Sequence, residues 1–127
     1  MIDNFIRDLS KDLDLDQELQ LINNSYTIPL EEDLSFNITP IESGFMLTAT
    51  LAPLPTDNKD RFFEHILHGN LFGQGTRGAV LGLNDEGTLL TLSKIVDYNV
   101  DYKGFRETIE DFINIIDFWR EEARLFK

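Results

Sequence analysis

Between Leu71 and Ser93 the chain reads LFGQGTRGAVLGLNDEGTLLTLS, and no other stretch restricts the fold as strongly. A glycine-rich loop leads into an apolar run, a tight polar turn and a second apolar run. The pattern predicts strands near 79–84 and 88–96, joined through Asn84-Asp85-Glu86-Gly87. Residues 1–70 read as helix and strand material that needs such a hairpin to pack on. Beyond the hairpin, the C-terminal residues read as one amphipathic helix able to cover the result. No residue in the stretch has an evident chemical task.

The flanking segments supply the other elements. Ile2, Phe5, Ile6, Leu9 and Leu13 recur at helical spacing, with Asp3, Arg7, Asp8, Lys11 and Asp12 on the other side. A helix is expected over about 2–13, with a weaker continuation to 22 that Asp14-Leu15-Asp16 tends to break. Tyr26 to Leu30 is short and β-prone. Leu34, Phe36 and Ile38 alternate with Ser35, Asn37 and Thr39, Pro40 is expected to close that strand, and Glu42-Ser43-Gly44 to turn it. Phe45, Leu47, Ala49 and Leu51 then share one face of a strand, with Met46, Thr48 and Thr50 on the other. The prolines of Ala52-Pro53-Leu54-Pro55 argue against a central strand there.

Thr56 or Asp57 is the expected cap of a second helix carrying Phe62, Phe63, Ile66 and Leu67, with Gly69-Asn70 as its C-cap. Phe105, Ile109, Phe112, Ile113, Ile116, Trp119 and Ala123 mark a long last helix over about 101–126. The expected class is α+β, a single domain with a mainly antiparallel sheet of about five strands and three helices.

Composition narrows the function classes. A chain of 127 residues fits one core, and 23 acidic against 11 basic side chains give a net charge of −12. Residues 1–60 hold 12 acidic and 3 basic groups, net −9, and the remainder 11 and 8, net −3. Such a surface repels phosphate backbones and anionic membranes, and attracts a basic partner segment. No cysteine is present, so disulfides and thiolate metal sites are excluded. The acidic start lacks the features of a signal peptide, and no apolar run reaches the length of a membrane span. A soluble cytoplasmic domain is expected, so Asn23-Asn24-Ser25 and Asn37-Ile38-Thr39 read as chance glycosylation matches.

Candidate chemistry is thin. Gly73-Gln74-Gly75-Thr76-Arg77-Gly78 spells the dinucleotide pattern G-x-G-x-x-G, with Asp97 at a suitable distance. That motif needs a strand leading in and a helix N-terminus leading out, to aim N–H groups at a pyrophosphate. Here the order is reversed, so a structural loop is expected. His65 and His68 sit three apart in Glu64-His65-Ile66-Leu67-His68, which is not the H-E-x-x-H of zinc proteases. No serine lies in a G-x-S-x-G setting. No catalytic residue, metal or cofactor is expected. The apolar faces exceed what a thin two-layer domain can bury, so some of that surface should meet another chain.

The 71–93 block, with Leu71-Phe72 and Leu81-Gly82-Leu83 before an acidic turn, and the terminal FINIIDFWREEARLFK resemble the class I type III secretion chaperones, the CesT/SycE-like group. Chain length, acid excess and element order agree along the whole chain, the first 60 residues in pattern alone. The resemblance implies a small cytoplasmic dimer without ATPase activity, in a bacterium with a type III secretion system. Such a protein holds the extended N-terminal segment of a secreted effector and keeps it secretion-competent. It also implies a partner groove between the first helix and the sheet, here Ile2, Phe5, Ile6, Leu9, Leu34, Phe36, Ile38 and Leu47. The implied dimer contact lies after the second helix, at Phe72, Val80, Leu81 and Leu83. Homodimers and heterodimers with a second chaperone both occur in the group. The alternative is a regulatory protein-binding module on the same fold, with an enzyme in third place.

Overall fold

The computed structural model describes residues 2–15, 19–71, 76 and 78–126. The elements are α1 (Ile2–Asp12), β1 (Tyr26–Glu31), β2 (Leu34–Ile41), β3 (Gly44–Pro53), α2 (Lys59–Asn70), β4 (Val80–Leu83), β5 (Leu89–Asp97) and α3 (Tyr102–Leu125). The strands form one sheet in the order β1-β2-β3-β5-β4, every pair antiparallel. This is the expected α+β arrangement of three helices and five strands.

Alternation along each strand sorts the side chains into two layers. Ile28 faces Phe36, Ile38 faces Leu47, Phe45 faces Val96, and Ala49 faces Leu92, which in turn faces Leu81. All of these are buried under the helices. The opposite face carries Thr27, Ser35, Asn37, Thr39, Thr48, Thr50, Thr91 and Ser93. No helix among the described residues covers it.

α3 closes the core. Asp101 caps it by accepting a hydrogen bond from the Gly104 N–H at 2.8 Å. Phe105, Ile109, Phe112, Ile116, Trp119 and Ala123 then fall on one stripe and are buried. Phe105 meets Phe45 edge-on with ring centres 5.0 Å apart, and Phe112 meets Phe36 at 5.6 Å. Each such ring, withdrawn from water, contributes about 1.5–3 kcal/mol. Glu107, Glu110, Asn114, Asp117 and Glu121 take the exposed side.

Several boundaries differ from expectation, for physical reasons. β2 runs past Pro40 to Ile41, leaving a two-residue turn at Glu42-Ser43, and β3 runs through Ala52 to Pro53. Proline removes a ladder donor only where a strand has a neighbour on that side. β1 leaves β2 at Ile38, and β2 leaves β3 at Thr48. Both prolines therefore lie where their strand is paired on one side only. The start of α2 is Asn58, in the left-handed region at φ 56° with no side-chain cap bond, rather than Thr56 or Asp57. Gly69 and Asn70 are the last residues of α2, not its cap, and Leu71 comes next as C-cap. Residues 13–15 and 19–25 are not helical, so α1 does not continue toward 22.

α1 buries little of itself. Ile6 and Leu9 reach the core, and Phe5 packs half-buried against Phe105 and Tyr102, at 5.0 and 5.8 Å. Polar clasps hold both ends. The Tyr26 hydroxyl donates to Asp3 at 2.6 Å, the Tyr102 hydroxyl donates to Asp12, and Arg106 lies 3.3 Å from the same Asp12 carboxylate.

The Gly69 position has a different function from a cap. A Cβ there would lie 2.4 and 2.7 Å from two Trp119 ring atoms, so only glycine lets α2 seat against α3. Gly69→Ala should cost ~1–3 kcal/mol in urea unfolding. Adding Trp119→Phe should give less than the sum of the two single losses, because the clash is then partly relieved; strict additivity would place the two residues out of contact.

The clasps make α1 sensitive to alkali. Tyr26 is pushed up from 10.0 to about 12, chiefly by its bond to Asp3, then by burial and the Asp3 charge. Tyr102 is raised too, first by burial, then by its bond to Asp12 and the charges of Asp12 and Asp8, with Arg106 opposing. Both phenols hold their protons more tightly folded than unfolded. Their contribution is intact below the unfolded value of about 10 and is lost as pH rises through the folded values. Stability should fall with pH above about 10, and less steeply in Tyr26→Phe, as read by denaturant unfolding at stepped pH. Equal slopes would mean that Tyr26 is not a clasp.

A candidate partner-binding surface

The residues expected to form the partner groove are brought together, but not as an open trough. Ile6, Leu9, Leu34, Phe36, Ile38 and Leu47 are all buried, Phe5 is half-buried, and Ile2 opens α1. α1 packs on the start of α3, through Phe5 against Phe105 and Tyr102. These residues belong to one apolar cluster, and α1 is held to it by two buried aliphatic side chains, one half-buried ring and the clasps at Asp3 and Asp12. Sequence periodicity identifies these residues as an apolar set. It carries no signal of whether they face a partner or one another.

The expected dimer residues separate. Val80 is 56% and Leu83 43% exposed, whereas Leu81 is 3% exposed beneath α2. Phe72 lies outside the described residues, as do Gly73, Gln74, Gly75 and Arg77 of the glycine-rich string. The order around that string is as expected, a helix leading in (α2) and a strand leading out (β4). Two residues not singled out for contact, Leu67 and Leu71, are exposed on α2 and at its C-cap, and α2 packs against β4. The sequence pattern groups Leu67 with the apolar face of its helix. It comes one residue after Ile66, about 100° around the axis, and that rotation points it outward.

A third apolar patch lies on the otherwise hydroxylated sheet face. Met46 stands opposite Ile95 across β3 and β5, and Val80, paired with Ser93, is diagonal to Ile95. Beside this row the face holds a recess of about 570 Å³ whose lining includes Ser35, Asn37, Thr48, Thr50, Thr91 and Ser93. Hydroxyl and amide groups of this kind can hydrogen-bond a polar segment laid across the sheet. At its rim Arg120 donates to the Leu51 carbonyl at 3.0 Å and lies 3.7 Å from Glu31. One turn further along α3, Arg124 bonds Glu121 and holds its carboxyl below the usual range.

His65 is engaged structurally. Its Nε2 is 3.5 Å from Glu122, and its ring lies 5.0 Å from Trp119 and stacks on Phe126 at 5.9 Å. Among the described residues no three carboxylate or imidazole groups converge as a metal cluster would require. No helix among them is long and apolar enough to cross a membrane.

Comparison with known proteins agrees with this geometry. A protein of Chlamydia pneumoniae designated CPj0713/CpB0740 is 25% identical over 130 residues, spanning 100% of this chain and 99% of that one. The ExsC–ExsE complex contains a chain of the same fold, with a TM-score of 0.80 at 11% identity, over 99% of this chain and 96% of that one. The HopA1–SchA chaperone–effector complex contains another, with a TM-score of 0.70 at 15% identity, over 93% and 91%. The model of the Tir chaperone protein (CesT) family matches residues 4–120, nearly the whole of α1 through most of α3, and this chain belongs to that family.

Proposed function

We propose that this protein is a type III secretion chaperone, which binds the extended N-terminal segment of a secreted effector and keeps that segment secretion-competent. The family match over residues 4–120 carries the reading. The fold it shares with a chain of a chaperone–effector complex supports it. The work is recognition rather than catalysis, done in the cytoplasm of a bacterium with a type III secretion system. The working unit is a dimer, either of this chain with itself or with a second chaperone.

The physical scheme rests on what is buried and what is not. An unfolded segment offers main-chain hydrogen-bonding groups and scattered apolar anchors. The open sheet face supplies hydroxyl and amide hydrogen-bonding groups, and Phe5, Ile6, Leu9, Leu34, Phe36, Ile38 and Leu47 supply anchor sites once α1 shifts. Because α1 is held mainly by Ile6, Leu9 and two clasps, the energy needed to shift it is small beside that of opening the core. The net charge of −12 draws in a basic or polar segment and speeds encounter. Val80 and Leu83, the exposed members of β4, form the dimer contact.

Co-expression with candidate effectors encoded nearby, followed by affinity capture, tests the reading. Recovery of an effector through its N-terminal segment is expected. Recovery of regulatory proteins alone would favour a regulatory module on the same fold. Phe5→Asp should weaken capture by about tenfold or more, equivalent to ~1.4 kcal/mol, with the sheet intact by circular dichroism. Unchanged affinity would remove α1 from the site. Val80→Asp should shift the dimer toward monomer in light scattering, since a carboxylate in an apolar contact loses hydration without a partner. A dimer of unaltered strength would place the contact elsewhere.

A further inference from the structure

The outer edge of β4 is already hydrogen-bonded, by side chains. In an antiparallel ladder alternate residues turn both main-chain groups toward the same neighbour. Val80 and Gly82 are opposite Ser93 and Thr91 of β5, while Leu81 turns its groups outward. There the Asn70 carboxamide meets both of them. Its Nδ2 donates to the Leu81 carbonyl at 2.9 Å, and the Leu81 N–H donates to its Oδ1 at 2.8 Å. Two residues earlier, just before β4, Thr76 meets both groups of Ala79, one through its main chain and one through its side chain. The Ala79 N–H donates to the Thr76 carbonyl at 3.1 Å, and the Ala79 carbonyl accepts from the Thr76 hydroxyl. Thr76 is 1% exposed, the one buried polar side chain among the described residues.

Edges of sheets are ordinarily guarded by charge, proline or a bulge, because free main-chain groups template another strand. β1 conforms to that practice with Pro29, a bulge between Pro29 and Glu31, and the Glu31 carboxylate. β4, Val80-Leu81-Gly82-Leu83, has none of these, and its Val80 and Leu83 side chains are exposed. An uncharged, apolar edge of this kind is self-complementary, since a second copy of the same strand lays apolar side chains against it.

We propose that Asn70 is the gatekeeper of this edge. Its carboxamide takes the place that a peptide unit of a sixth strand would occupy, with Thr76 holding the adjoining position. Two copies of the chain therefore meet at β4 through side chains and do not fuse into one continuous sheet. With Asn70 gone, the strand that adds to β4 is the β4 of a second copy. This rests on the proposed meeting of two copies at β4, but concerns the protein without cargo.

Hydrogen exchange at the Leu81 amide tests it in the unliganded protein, alongside the mass distribution by sedimentation. The wild type should protect that amide at all concentrations. Asn70→Ala should exchange there roughly tenfold faster when dilute. It should regain protection as concentration rises, in step with the passage from monomer to dimer mass, since strand addition is bimolecular. Asn70→Asp, which accepts from the Leu81 N–H but cannot donate to its carbonyl, should fall between. A Leu81 amide as labile in the wild type as in Asn70→Ala would overturn the proposal. So would a variant whose exchange and mass are independent of concentration. Effector capture by the wild type is scored separately, so failure of the chaperone reading and failure of the gatekeeper are distinguishable.

Discussion

The structure depends on one seam, the apolar stripe of α3 pressed on the middle of the sheet. β3 and β5 form the sheet's centre, and their inward side chains Phe45, Leu47, Ala49, Leu90 and Leu92 find their cover in Phe105, Ile109, Phe112 and Ile116. The other two helices take positions that the seam leaves to them. α1 leans on the start of α3 through Phe5 and Phe105, and α2 leans on its end through Gly69 and Trp119. All the helical mass is thus on one side, and the other side of the sheet must be wettable. Its threonines and serines meet that need while keeping the β-branched or compact shape that suits a strand.

The helices and strands are legible in the sequence because their periods are distinct and each is bounded by turn residues. Alternation in 34–39 and 45–51, and three-and-four spacing in 105–123, reveal both the element and its inward face. What escapes is everything set by neighbours. Pro40 and Pro53 read as terminators, yet each is harmless where a strand has one partner. Gly69 reads as a helix stop, yet its role is to admit the Trp119 ring. The apolar residues of α1 and β2 read as a groove, and most of them are buried in the core cluster. Asn70 reads only as part of a helix C-cap, since a single amide at a helix end reveals nothing of a strand edge eleven residues later.

The polar contacts differ in kind according to what they hold. α1 is fastened by tyrosine hydroxyls to carboxylates at its first and last turns, bonds that form and break without repacking a core. α2 is fastened by a glycine contact and by the Asn70 amide, both intolerant of displacement. One flank of the sheet therefore carries a helix that can yield, and the other a helix that is locked. Displacement of the first helix would thus leave the packing of the second unaltered.

Trp119 gives that locked flank an optical signature. It is the only tryptophan in the chain, against three tyrosines and ten phenylalanines, so its emission is unmixed with that of other indoles. Its ring is buried between the Gly69 backbone and the His65 imidazole. Any loosening of α2 admits water to the indole and moves the imidazole, a quencher, relative to it. Since α2 ends on Asn70, the same colour and intensity report on the state of the sheet's far edge, without a label and in the presence of any partner that lacks tryptophan.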